Sequence, residues 1–452
     1  MKHKLSIASY LAIGLMLFGM FFGAGNLIFP VHLGQAATSN LSGATLGFLI
    51  TAVGLPFLGI IAIGLSESEG LLDLSTRVNK KFGYFFTILL YLTIGPLFAL
   101  PRTATVPFEV GVTPFIKGQS TAPFLFIFSL IFFVIAFLLA LNPGKIMDWI
   151  GKILNPIFLV CLALLMMMAF IKPMGQVGSL PSIEPYSSQP LMSGFLDGYN
   201  TMDALASLAF GILVVNSLKE CGVKKPSQMA KDICISGVIV LLLMSLIYTG
   251  LSFMGATSVE RFHLSDNGGI ALNQMAHYYF GSFGSILLAF IVTIACLKTA
   301  VGAISAASET FNQIFPKISY KQFVALFSFS SMLIANCGLD QIIRFSSPML
   351  SFLYPIAIVL IFLVLLGKFF RNRRFVYQVT LFVTTAIAFI DGIRLLNETV
   401  FHAKGLMIFS KIYQMLPLHT MNLAWVIPAL IAFLLSWLIA KNRFDTPLFN
   451  RV

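Results

Sequence analysis

Charged residues are scarce in this sequence. Only 10% of its 452 residues are Asp, Glu, Lys or Arg, whereas 58% are hydrophobic, and the mean hydropathy is +0.91. A soluble domain contains about 25% charged residues, so a soluble globule of this length could not cover its surface with so few. The scarcity of charge therefore predicts an integral membrane protein.

Other absences exclude several kinds of chemistry. The five cysteines form no C-x-x-C pair, so neither disulfides nor zinc are expected. The six histidines lie near the chain start, in loops or at the ends of apolar stretches, which argues against an enzyme with catalytic residues. No G-x-x-x-x-G-K-[ST] segment is present, and no loop is long enough for a nucleotide-binding domain. We therefore expect no cofactor and no need for an ATP-binding subunit.

Twelve apolar stretches are long enough to cross a bilayer, which takes roughly 20 helical residues. They do not alternate between apolar and polar residues as the strands of a membrane barrel would, so the predicted fold is all-α. The first stretch is too long for the apolar region of a signal peptide, about 7–15 residues. Spans 1 to 12 are predicted at residues 7–36, 43–65, 82–106, 122–141, 150–171, 190–218, 233–255, 282–312, 322–338, 346–367, 375–396 and 422–440.

Lysine and arginine are concentrated at both termini and in alternate loops, such as residues 219–231 and 368–374. Basic residues favour the cytoplasmic side of a membrane, so both termini are predicted to be cytoplasmic. This bias accounts for the net charge of +12 without a nucleic-acid partner. The opposite loops hold only Lys117, Lys172, Arg261, Arg344, Lys404 and Lys411.

Span 1 contains an interruption, "GMFFGAGNLIFP", at residues 19–30. Glycine in a helix costs about 1 kcal/mol relative to alanine, and proline about 3 kcal/mol. If residues 23–26 unwind, the freed N–H groups suit an anion and the freed carbonyls suit a cation. The alternative is that Gly19 and Gly23 form a G-x-x-x-G packing face.

Two further spans carry polar residues near their centres. Span 6 is interrupted by Asp197, Gly198, Asn200, Thr201 and Asp203. It starts five spans after span 1 and runs in the opposite direction, and such a pair of interrupted spans indicates a transporter built from inverted repeats. An aspartate at mid-membrane costs about 2.5–3.5 kcal/mol, which favours a ligand or ion role over a purely structural carboxylate.

Span 8, "ACLKTAVGAISAASETF", places small and polar residues on one face, which alone would serve close packing. Lys298 lies near its centre, far from both interfaces, so snorkelling is difficult.

Four segments together resemble the branched-chain amino acid:cation symporter family, of the BrnQ type, within the amino acid–polyamine–organocation superfamily. They are "FGAGNLIFP", "GPLFALPRTATVPFEVG", "GYNTMDAL" and "ACLKTAVG", and the resemblance covers essentially the whole chain. It implies a leucine-transporter-like 5+5 inverted repeat with broken helices 1 and 6. The implied units are repeat one at 1–171, inverted repeat two at 190–367, peripheral spans 11 and 12 at 375–440, and a cytoplasmic tail at 441–452.

The resemblance also implies a function. The chain would be a secondary active symporter of the bacterial cytoplasmic membrane, not an enzyme, and would import leucine, isoleucine and valine with a proton or Na⁺ by alternating access. Its implied partners are these small molecules and the lipid bilayer. The implied substrate-binding residues are Gly23, Ala24, Gly25, Asn26, Tyr199, Asn200, Thr201, Asp203 and Ala204. The N–H groups of Ala24 and Gly25 would hold the carboxylate, and span 6 would receive the amino group with Asp203 as an ionic partner.

The cation site implied by the resemblance comprises Gly19, Phe22, Ala295, Lys298 and Thr299, with Na⁺ as the sole candidate metal. Lys298 departs from the family fold's pattern, which has a hydroxyl residue there. We therefore expect Lys298 to replace Na⁺ and a proton to be the coupled ion. In the alternative, Lys298 faces away, paired with Asp203 or Glu309, and Na⁺ binds normally.

Arg102 and Glu109, near the outer end of span 3, form a candidate extracellular gate or are simply solvated at the interface. Other functions remain open at this point. A Na⁺-coupled carrier of another neutral amino acid or of a purine-like solute would keep the fold. A passive channel is a candidate of a different class, but the sequence shows no filter loop, and the paired interruptions favour alternating access over it.

Overall fold

A computed structural model describes residues 6–66, 68–116, 120–142, 145–220, 222–223 and 226–441. Within these residues the chain is almost entirely helical. The helices are α1 (Ile7–Phe21), α2 (Ala24–Ala37), α3 (Leu41–Leu49), α4 (Leu55–Ser66), α5 (Leu71–Val78), α6 (Lys80–Leu92), α7 (Ala99–Gly111), α8 (Thr121–Leu141), α9 (Lys145–Ile171), α10 (Pro190–Asp197), α11 (Asp203–Glu220), α12 (Pro226–Phe262), α13 (Gly268–Ile314), α14 (Tyr320–Ala335), α15 (Leu339–Leu365), α16 (Arg374–Leu396), α17 (Met407–Gln414) and α18 (Val426–Lys441).

Each predicted span coincides with a helix or a pair of helices in series, so the prediction of an all-α membrane protein is confirmed. Among the described residues, seven helical segments are long and apolar enough to cross a membrane, and three shorter helices are also apolar. Span 8 corresponds to the second part of α13, because a kink at Gly281 separates residues 268–280 from the part that begins at the predicted residue 282. The helix is bent at Gly281, whose φ of 62° is a left-handed value that favours glycine.

Spans 1 and 6 are both broken, as predicted, but the break in span 1 is shorter than expected. Only Phe22 and Gly23 leave the helical conformation between α1 and α2. Residues 24–26 form the first turn of α2 because the Asn26 side chain accepts a hydrogen bond from the Gly23 N–H, at 2.9 Å. In span 6, Gly198–Thr201 forms a 3₁₀ turn and Met202 is left-handed, with φ of 62°.

The core lies where the two broken spans meet their neighbours. There, α2 packs against α12 and α3 packs against α10. In the same way, α4 packs against α11 and α7 packs against α13. Span 11, formed by α16, packs chiefly on α15, and span 12, formed by α18, packs on α16. The division into inverted repeats at 1–171 and 190–367 stays a prediction. Of the predicted tail at 441–452, residues 442–452 lie outside the described part of the chain.

Close helix contacts are made through glycine. A Cβ atom on Gly47 of α3 would overlap the Leu191 carbonyl of α10, and one on Gly194 of α10 would overlap the Ala44 carbonyl of α3. The two backbones therefore touch at glycine from both sides. In the membrane, such close approach is a main source of helix–helix attraction.

We predict that Gly47→Ala destabilises the protein by about 1–3 kcal/mol, because the new methyl group must push α3 away from α10. The matched control is Gly302→Ala, since Gly302 is an exposed helical glycine with nothing within 4 Å of an added Cβ atom. Alanine there should instead stabilise the helix by about 0.5–1 kcal/mol. Thermal unfolding in detergent checks both variants, and equal midpoints would contradict the packing described here.

Candidate functional site

Three buried polar side chains join the broken parts of spans 1 and 6. Oδ2 of Asp203, the first residue of α11, accepts hydrogen bonds from Nδ2 of Asn26, at 2.6 Å, and from the hydroxyl of Tyr248 on α12, at 3.1 Å. Asn26 also contacts the Tyr248 hydroxyl. The Asp203 side chain is thus held in place by spans 1 and 7. A carboxylate in this environment is stable only with such partners.

The start of α2 points at the same region. Its first-turn N–H groups, which include those of Ala24 and Gly25, have no acceptor within the helix. The Gly23 N–H just before them donates to Oδ1 of the Asn26 side chain. The aligned peptide dipoles of α2 give this end a partial positive charge. This end of α2 therefore suits an anionic group.

A cavity of about 60 Å³ lies between the two breaks. A single water molecule needs roughly 10–15 Å³ on the same scale, so the cavity holds a few waters or part of a small solute. Its lining residues come from spans 1, 3, 6 and 8: Phe21, Gly23, Ala24, Gly25, Asn26, Ile94, Ala99, Leu100, Arg102, Thr103, Asn200, Thr201, Met202, Asp203, Ala206, Phe210, Thr299 and Ala303.

Seven of the nine predicted substrate-binding residues line this cavity: Gly23, Ala24, Gly25, Asn26, Asn200, Thr201 and Asp203. Tyr199 and Ala204 do not. The ring of Tyr199 instead stacks on Tyr354 of α15, with 3.9 Å between centroids, and Ala204 is fully buried in α11. Tyr199 lies within the 3₁₀ turn, which directs successive side chains to different sides, whereas Ala204 lies beyond it in α11. The substrate-binding role of all nine stays a prediction.

The residues predicted for the cation site are divided between two environments. Thr299 lines the cavity and faces the break in span 1, since a Cβ atom on Gly23 would lie 3.3 Å from its methyl carbon and 3.6 Å from its hydroxyl. That hydroxyl donates to the carbonyl of Ala295 at 3.2 Å. Gly19, Phe22, Ala295 and Lys298 are not in the cavity lining, and Phe22 stacks on Phe18. Among the described residues, Lys298 forms no ion pair with Asp203 or Glu309.

Arg102 and Glu109 lie apart. Arg102 lines the cavity and is 3% exposed, so it is not a solvated side chain. Glu109 lines a separate cavity of about 520 Å³, together with His277 and Asn273 of α13. No ion pair joins the two residues within the described structure, and their role as a gate stays a prediction.

Several residues of the site could not be identified from the sequence. Tyr248 is one of many aromatic residues in apolar spans, and no spacing pattern separates it from residues that only pack. The apolar wall formed by Ile94, Leu100 and Phe210 is equally inconspicuous. The one usable signal was the position of Arg102 inside an apolar stretch, since an arginine there is costly unless it serves a function.

Comparison with solved structures identifies the fold. The chain superposes on the inward-facing conformation of Mhp1 with a TM-score of 0.57 and 16% sequence identity, covering 98% of this chain and 92% of that one. A closed conformation of Mhp1, described as a nucleobase-cation-symport-1 family transporter with bromovinylhydantoin bound, gives a TM-score of 0.55 at 16% identity. The coverage there is 98% of this chain and 94% of the other. The fold is leucine-transporter-like, with broken helices 1 and 6.

Sequence comparison identifies the family. The profile of the family described as "Branched-chain amino acid transport protein" matches residues 6–443, and the chain belongs to this family. It is 48% identical over 449 residues to the branched-chain amino acid permease BrnQ of Lactobacillus delbrueckii subsp. lactis, covering 98% of this chain and all of that one. It is 44% identical to BrnQ of Bacillus subtilis, over 99% of this chain and all of that one. These relatives are permeases, and the chain is a transporter rather than an enzyme.

We predict that Asn26→Ala destabilises the protein by about 1–3 kcal/mol, because it leaves buried polar partners on Gly23 and Asp203 unsatisfied. Thermal unfolding in detergent measures the effect. Asn312→Ala is the control, since the Asn312 side chain donates a hydrogen bond to the Ile318 carbonyl in an exposed turn. Equal loss of stability in both variants would show that Asn26 does not hold the two breaks together.

Proposed function

We propose that this protein is a secondary active symporter that imports leucine, isoleucine and valine across the bacterial cytoplasmic membrane. A cation gradient drives the import by alternating access, and both termini are cytoplasmic. The proposal rests chiefly on one observation, the cavity in which the breaks of spans 1 and 6 meet. The names of the similar permeases support the choice of substrate.

The cavity matches the chemistry of a small zwitterion with an apolar side chain. The N–H groups of Ala24 and Gly25 suit the carboxylate, because they lie at the positive end of α2. Asp203 suits the ammonium group. An aliphatic side chain would be placed against the apolar wall of Ile94, Leu100 and Phe210. A branched aliphatic side chain needs no polar partner against such a wall.

The proposed coupling ion is the proton, with Lys298 in place of Na⁺. Thr299 faces the break in span 1, where the proposed cation site would be, and Lys298 precedes it on α13. The rival arrangement needs Lys298 to be paired with Asp203 or Glu309, and no such pair is found in the described part of the chain. A lysine in a low-dielectric site can exchange its proton during a transport cycle.

Uptake of labelled leucine into proteoliposomes tests the proposal. We expect accumulation under an inward pH gradient and none under a Na⁺ gradient alone. Unlabelled valine and isoleucine should compete, because their branched side chains make apolar contacts with the wall. Alanine should compete weakly because it makes fewer such contacts, and lysine should not compete because the wall offers no partner for its second charge. Accumulation with Na⁺ alone would contradict proton coupling. Failure of leucine itself to accumulate under either gradient would contradict the proposed substrate.

Lys298→Thr tests the coupling site directly. We predict that this variant loses uptake driven by the pH gradient and gains dependence on Na⁺, because a hydroxyl replaces the ammonium group at the position before Thr299 in α13. Lys321→Thr is the matched control, since Lys321 is exposed near the start of α14. Initial uptake rates at several Na⁺ concentrations measure the change. If the variant keeps the ion dependence of the parent protein, Lys298 does not occupy the coupling site.

A further inference from the structure

Arg102 is a buried cation without a buried anion beside it. Its side chain lies on α7 in span 3 and is 3% exposed. Among the described residues, no carboxylate lies within 4.0 Å of its guanidinium group. An uncompensated charge inside a membrane protein is expensive, and such residues mark functional sites. The charge of Arg102 therefore needs an explanation beyond packing.

The contacts of Arg102 orient the guanidinium group but do not neutralise it. Nη1 donates to the Asn200 carbonyl in the break of span 6, at 2.8 Å. Nη2 donates to the hydroxyl of Ser346 on α15. The group also lies over the ring of Phe29 on α2, with its central carbon 5.2 Å from the ring centroid. All these partners are neutral, and together they fix the plane of the guanidinium.

Part of the donor capacity of Arg102 is unused. Its Nε is buried and has no hydrogen-bond partner. A buried donor without an acceptor carries a desolvation cost, which an incoming acceptor would remove. A guanidinium has five N–H donors in a rigid fork, and this geometry matches the two oxygens of a carboxylate.

Arg102 lines the same cavity as Asp203. The two side chains form no ion pair with each other in the described structure, because each is held by its own set of partners. The cavity thus presents one cationic and one anionic group, both fixed in position. An α-amino acid carries the complementary pair of charges.

We propose that Arg102 binds the α-carboxylate of the transported amino acid, together with the N–H groups at the start of α2. This assignment rests on the proposed function. It replaces the sequence-based expectation that Arg102 closes a gate with Glu109. The protein then selects for a free carboxylate, because only a substrate with one neutralises the buried guanidinium.

Competition between leucine and leucinamide tests this assignment, since the amide keeps the ammonium group and side chain but has no carboxylate. Binding to purified protein is measured by displacement of labelled leucine. In the parent protein, leucinamide should displace the label roughly tenfold to hundredfold less well than leucine, as expected for loss of a charge-assisted pair. In Arg102→Gln, leucine should weaken by a similar factor while leucinamide changes little, so the preference for the carboxylate disappears.

Labelled leucine will bind weakly to Arg102→Gln, so both affinities are also measured by ligand-induced shifts in thermal stability. Arg102→Lys should retain an intermediate preference, because it keeps the charge but not the fork. Arg344→Gln is the matched control and should keep the parent preference, since Arg344 is exposed and bonded to the Thr399 carbonyl. If leucine and leucinamide weaken equally in Arg102→Gln, or if the preference is unchanged, the assignment is wrong. If the parent protein does not bind leucine, the proposed function fails instead.

Discussion

The site depends on one buried carboxylate, that of Asp203, and on the two side chains that bond it. Asn26 connects the carboxylate to the break in span 1, and Tyr248 connects it to span 7. Because Asn26 also caps α2 through the Gly23 N–H, the same residue completes a helix and joins two broken spans. The bond from the Gly23 N–H to the Asn26 side chain satisfies a backbone donor at the interruption of span 1, where hydrocarbon offers no partner. The bonds to Asp203 then hold this capping side chain against span 6.

The membrane imposes this arrangement. In hydrocarbon every backbone N–H and carbonyl needs a partner inside the protein, so irregular backbone occurs only where protein or a cavity surrounds it. Here both interruptions face one another across a small cavity. The same requirement explains why Arg102 donates to the freed carbonyl of Asn200. A side chain from span 3 thereby replaces the helical hydrogen bond that the 3₁₀ turn leaves unmade.

Much of this structure could be predicted from the sequence. The thickness of the bilayer sets the length of each apolar stretch, and glycine, proline and aspartate are costly in the middle of a membrane-spanning helix. The twelve spans and the two interruptions followed from these costs. The extent of the first interruption did not, since it depends on the Asn26 side chain reaching back to residue 23. The position of Tyr248 and the orientation of Tyr199 also could not be predicted. Both result from packing between spans that are distant in the sequence.

The reciprocal glycine contacts have a mechanical consequence. Gly47 and Gly194 bring α3 and α10 into backbone contact, and Gly34 and Gly255 do the same for α2 and α12. Helices in such close backbone contact cannot slide past each other without steric overlap, so we expect each pair to move as one rigid body. Bending is then concentrated at residues 22–23 and 198–202, where the helical hydrogen bonds are interrupted. A rearrangement that opens one side of the protein would then rotate these helix pairs about the two interruptions rather than deform individual helices.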